Sequence, residues 1–231
     1  GTVMIYAHQD DDLIWMLPFW EKVDKFVIGA LPTSPIFKEF IRQQEEFINS
    51  TEYAGKIVYE ANWEAPWGEI TDEQYSQYYW KNNDAFRPGE QYLLSRWSEN
   101  DETTMAQEVA KIKEKIRPYF MDENNKRFIT HNIWGEYGHV HHIALNRAVR
   151  ELAVEYGKDV YMLGHRATND GIFPQEEKIP SDVRYTTGSF DANLYKGIRD
   201  IYLRLFIGED DIWTWGDSVP TGPYKYPKDR K

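Results

Sequence analysis

Thr2-Val3-Met4-Ile5-Tyr6-Ala7-His8-Gln9-Asp10-Asp11-Asp12 opens the chain: a short apolar run that breaks into a histidine and a burst of acids. Such a run suits a buried strand, and the acids suit a strand that ends at a functional edge. Outward from it the pattern alternates. Lys25 to Ala30 reads as a second strand, and Phe37 to Phe47 as a helix with Phe37, Phe40, Ile41 and Phe47 at helical spacing. Lys56 to Tyr59 reads as a third strand. Thr103 to Ile116 forms an amphipathic helix through Met105, Val109, Ile112 and Ile116, which Pro118 is expected to stop. Arg127 to Thr130 is the next strand, His142 to Tyr156 a helix closed by Gly157, and Asp159 to Leu163 a further strand. A late helix, Leu194 to Phe206, leads into a tail rich in Trp, Gly and Pro.

Strands separated by helices of this length predict an α/β, Rossmann-like three-layer fold, with a mostly parallel sheet flanked by helices. In such sheets ligands sit at the carboxyl ends of the strands. That rule selects the acids after the first strand and the histidines after Arg127–Thr130. The 231 residues read as one domain, 1–231, with no linker. Residues 62–100, aromatic and acidic, and 165–193, rich in turn residues, read as irregular insertions forming pocket walls or lids.

Thirty-eight acids against 27 bases give a charge of −11, a field that repels phosphate backbones and anionic lipid surfaces. Nucleic acid and membrane are therefore not expected as main partners, and no stretch has the roughly 20 apolar residues a spanning helix needs. The absence of cysteine excludes disulfides, thiolate metal sites and thiol nucleophiles. The chain starts at Gly1, so it is expected to be a processed or trimmed product; export stays open should a signal peptide precede it. Aromatic residues make up 16% of the sequence, which serves a core first and sugar-stacking platforms second.

Four of the six histidines, His131, His139, His141 and His142, fall within a dozen positions, and His8 stands beside the acid triplet. Carboxylates crowded where a buried strand stops repel one another, and a divalent cation removes that cost. His8, one acid and one histidine of the second cluster make a two-histidine, one-carboxylate site with open positions. His139 and His142, three apart, share a helix face, whereas His141 is expected to point elsewhere. The bland alternatives are a solvated acidic turn and structural histidines. It is the combination at two strand ends that favours a metal.

At these residues the sequence resembles the LmbE-like, or PIG-L, N-acetylglucosamine deacetylases. Ala7-His8-Gln9-Asp10-Asp11-Asp12 is similar to their Ala-His-Pro-Asp-Asp-Glu signature. Thr130 to His142 resembles their Gly-His-x-x-His motif behind a glycine-rich turn, and Arg42-Gln43-Gln44-Glu45 their Arg-x-x-Glu. The resemblance implies that His8, Asp11 and His142 bind zinc or a similar divalent ion. It implies Asp10 as general base on metal-bound water, a protonated His139 at the oxyanion or leaving amine, and Arg42 on substrate hydroxyls. The implied reaction is removal of an acyl group, in the family an acetyl group, from an N-acetylated amino sugar or glycoconjugate. Leu13 to Trp20 and Gly29 to Thr33 depart from the family where it borders its substrate pocket, so the particular sugar is not carried over. The alternative is a catalytically silent metal- or carbohydrate-binding protein of the same fold. An iron(II) oxygenase using His8 and Asp10 conflicts with the strand–helix alternation, and magnesium-dependent phosphoryl transfer leaves His139 and His142 idle.

Overall fold

The computed structural model describes residues 1–8, 22–28, 35–59, 99–133, 140–163, 165–168, 171–176, 184–188, 191–206 and 224–229. Their elements run β1 (Thr2–Tyr6), β2 (Lys25–Ile28), α1 (Pro35–Asn49), β3 (Ile57–Tyr59), α2 (Glu99–Met121) and β4 (Arg127–Thr130). There follow α3 (Val140–Tyr156), β5 (Asp159–Met162), β6 (His165–Thr168), β7 (Gly171–Glu176), β8 (Tyr185–Gly188), α4 (Ala192–Leu205) and β9 (Tyr224–Pro227).

Five strands form one all-parallel sheet in the order β3-β2-β1-β4-β5. The chain winds outward from β1 to β3, then crosses to the other side of β1 and resumes at β4. The strand order thus reverses between β1 and β4, and the crevice beyond their carboxyl ends is where such sheets place a ligand. β1 sits at the centre, and all five of its residues are buried. Alternate β1 side chains feed two different cores. Met4 and Tyr6 join Phe26, Phe40, Ile48, Leu194, Tyr195 and Ile198 under α1 and α4. Val3, Ile5 and Ala7 join Met105, Ile112, Ile116, Phe120, Phe128, Leu145 and Leu152 under α2 and α3. Helices on both faces explain why the strand is apolar at successive positions rather than alternating.

Local chemistry accounts for the helix ends. Pro35 starts α1, where a missing N–H costs nothing. Asp191 caps α4, its Oδ1 accepting from the amides of Asn193 and Leu194 at 2.9 and 3.0 Å. Gly157 follows α3 at φ 65°, the left-handed conformation that glycine tolerates best.

Pro118 does not stop α2, which runs on to Met121. A proline there removes a hydrogen bond to the Glu114 carbonyl. Packing outweighs that loss: Phe120, fully buried, stacks on Phe128 with ring centroids 3.7 Å apart. The Asp122 amide closes the end on the Pro118 carbonyl at 3.3 Å. The described parts of residues 165–193 are likewise less irregular than their turn residues predict. They carry the antiparallel pair β6–β7 and strand β8, which pairs with β9 of the tail. The segment after β9 then runs along the sheet edge, where Tyr161 bridges Lys228 and the Asp229 amide donates to the Val160 carbonyl at 2.8 Å. That covers an edge otherwise open to pairing. Of the aromatic insertion at 62–100, only Glu99 and Asn100 lie within the described residues, at the start of α2. Among the described residues no helix is long and apolar enough to cross a membrane.

Where α4 meets α1, a Cβ on Gly197 would lie 2.0 Å from Cζ of Phe47. Gly197→Ala is therefore expected to destabilise the fold by about 1–3 kcal/mol, as overpacking does. Urea unfolding checks this. Adding Phe47→Ala should make the double variant lose less than the sum of the two single losses.

Candidate active site

The carboxyl end of β1 and the first turn of α3 bring three imidazoles together. His8 leaves β1 just past buried Ala7, and its Nδ1 lies 3.1 Å from Nε2 of His142, 134 positions along the chain. Its other nitrogen, Nε2, lies 3.0 Å from Nδ1 of His141. The ring centroids of His8 are 5.1 Å from those of His142 and 5.3 Å from those of His141.

Behind this group stands His131, fully buried at the end of β4. Its Nε2 accepts the Ala7 amide at 3.0 Å, so its proton sits on Nδ1. Its ring lies flat on that of His142, centroids 3.8 Å apart and planes 17° from parallel. The amide of Asn146, one turn after His142, donates to the His131 carbonyl at 2.8 Å. His131 thus ties the tip of β1, the tip of β4 and the start of α3 into one unit, and sets the plane against which His142 packs. Burial of His142, Asn132 and Asn146 keeps that unit shielded from bulk water.

The expectation that His141 points away is corrected. Adjacent helix residues diverge by about 100° and do not face each other on a helix surface. Here, however, they meet a ring with nitrogens on two sides, and each takes one of them: His142 reaches it through its far nitrogen and His141 through its near one. α3 also begins at Val140, two residues earlier than predicted, so both histidines belong to its first turn.

Because His8 turns different nitrogens to its two neighbours, the three rings do not converge on one point. Among the described residues no trio of His, Asp or Glu side chains is placed to hold an ion. The donor pair His8 Nδ1 and His142 Nε2 nevertheless suits two neighbouring ligands of one divalent ion. Ligand bonds of about 2.0–2.1 Å at angles between octahedral and tetrahedral put two nitrogens roughly 2.9–3.4 Å apart. The third donor has to come from elsewhere. Asp10, Asp11 and His139 lie outside the described residues.

Arg42 lies on α1 with its side chain half exposed, and its guanidinium is held by Glu39 and Glu46. Hydrogen bonding from Arg42 first, and from Gln43 second, lowers the Glu39 carboxyl to about 2. Arg42 is raised in turn, chiefly by Glu39. To touch a substrate, Arg42 has to exchange these carboxylates for it.

No family model and no curated protein matches the sequence. Solved structures match its fold. A deacetylase–teicoplanin complex from the teicoplanin biosynthesis pathway aligns over 100% of this chain and 99% of its own, with a TM-score of 0.54 and 11% identity. The zinc-inhibited form of teicoplanin deacetylase Orf2 aligns over the same shares, 100% and 99%, with a TM-score of 0.56 and 10% identity. The chain shares its α/β fold, an all-parallel sheet flanked by helices, with these deacetylases.

Proposed function

We propose that the chain is a metal-dependent hydrolase of the LmbE-like, PIG-L type, removing an acetyl group from an N-acetylated amino sugar or glycoconjugate. The observation that carries this reading is the meeting of His8 and His142 at 3.1 Å, beyond the point where the strand order reverses. Its support is the fold shared with the teicoplanin deacetylases, one of which was solved in a zinc-inhibited form.

In this reading His8 and His142 supply two ligand nitrogens and Asp11 a carboxylate. A zinc or similar ion bound there supplies Lewis acidity and makes water a nucleophile near neutral pH. The residues of the chain do the rest. The Asp10 carboxylate takes a proton from the attacking water. The water oxygen bonds to the carbonyl carbon, and protonated His139 steadies the oxygen that gains charge. The C–N bond then breaks as nitrogen takes the proton that Asp10 had accepted, and acetate and a free amine leave. Arg42, released from Glu39 and Glu46, binds sugar hydroxyls. His131 keeps the ring of His142 in plane throughout.

Acetate release over a panel of N-acetylated sugars tests the proposal. Chelation is expected to abolish release, and added Zn²⁺ or Co²⁺ to restore it. Activity that survives complete removal of metal would contradict the reading.

A further inference from the structure

We propose that His141 is a positioning residue that sets the tautomer of His8. This rests on the reading above, that His8 and His142 share a divalent ion. A neutral imidazole carries one proton on two nitrogens, and a ligand nitrogen must present its lone pair. If His8 Nδ1 faces the ion beside His142 Nε2, the proton of His8 has to sit on Nε2. The atom waiting there is Nδ1 of His141, at 3.0 Å. Accepting that proton fixes three things together: the tautomer of His8, the rotation of its ring, and the direction of the Nδ1 lone pair toward His142. Metal-binding histidines generally have such a partner on the other nitrogen, and losing it typically weakens metal binding 10–100-fold.

The partner is usually a carboxylate or a backbone carbonyl. In this chain a third imidazole takes that place, and the backbone explains why. His8 stands two positions past the end of β1, and the first turn of α3 delivers both neighbouring rings. His131 performs the corresponding service for His142 by stacking, at 3.8 Å. Each of the two rings that face each other is therefore held from outside by a further histidine. These two, His131 and His141, are the ones that the sequence reading left without a task.

Asparagine places an oxygen where histidine carries Nδ1, whereas leucine fills similar space without an acceptor. Zn²⁺ dissociation constants should therefore be measured for the full chain, for His141→Leu and for His141→Asn. His141→Leu is expected to bind roughly 10–100-fold more weakly, and His141→Asn to recover most of that loss, with the melting temperatures of the metal-free proteins unchanged. In the zinc-loaded wild type, ¹⁵N spectra should place the His8 proton on Nε2. Zinc affinity unchanged in His141→Leu overturns the proposal, as does a His8 proton found on Nδ1. Loss of zinc as complete as in His8→Ala also overturns it, because His141 would then be a ligand. Should His141→Leu fail to fold, the ¹⁵N spectrum of the wild type decides alone. A wild-type chain that binds no zinc sinks the metal reading itself, whereas a zinc-binding chain indifferent to residue 141 sinks only this inference.

Discussion

Asp10→Asn is expected to keep the divalent ion bound while turnover falls by roughly two to four orders of magnitude, the usual weight of a general base. The amide is nearly the size of the carboxylate, so it should leave the fold and the pair formed by His8 and His142 undisturbed. What it removes is basicity. Steady-state acetate release and metal content, measured on the same preparation, separate the two effects. The neighbouring Asp11→Asn should act in the opposite order, losing metal first and activity as a consequence. Near wild-type turnover in Asp10→Asn would move the base elsewhere.

The second large effect is structural. Phe120→Ala is expected to cost about 3–5 kcal/mol, as deletion of a buried aromatic ring does. Phe120 is fully buried and lies parallel to Phe128, their planes 6° apart. It also anchors the turn that Pro118 weakens, so its loss should fray α2 from that proline onward. Amide hydrogen exchange should show protection lost first between Pro118 and Met121. Met121→Ala is the control: at 61% exposure it should change stability by less than about 0.5 kcal/mol. Equal losses in the two variants would mean that α2 is held by something other than this stack.

The contrast between Pro118 and His8 shows what the sequence makes legible. β1 could be read because every one of its residues is apolar or small enough to be buried, and the chemistry begins at the next position but one. The parallel sheet followed from the alternation of elements. The meeting of two distant strand ends followed from the rule that ligands sit at the carboxyl ends of the strands of such a sheet. Pro118 was misleading because its local penalty is visible in the sequence, while the Phe120–Phe128 stack that offsets it joins two separate elements. Residues 165–193 misled for a similar reason. Their turn residues stand out locally, but β8 finds its partner, β9, only in the tail.

His141 and His131 are subtler. Spacing on a helix tells which residues share a face, and by that rule His141 belongs elsewhere. The rule covers side chains along a helix, not a ring approaching its first turn from a neighbouring strand. A signal was present nonetheless: two adjacent histidines opening a helix, with another closing the preceding strand, are more imidazoles than a two-histidine site needs. The supporting roles proposed for His131 and His141 would account for that surplus. Arg42 teaches the converse: the resemblance placed it on substrate hydroxyls without reckoning with Glu39 and Glu46, three and four positions away, which hold its guanidinium.

The proposed function depends on His8 and His142 sharing one ion, and metal content measures that directly. The full chain, purified without added metal salts and then loaded with Zn²⁺ or Co²⁺, should hold one divalent ion. His8→Ala and His142→Ala should each hold none at the same free concentration, while remaining folded. A wild-type chain that stays empty, or two variants that keep their ion, would contradict the account.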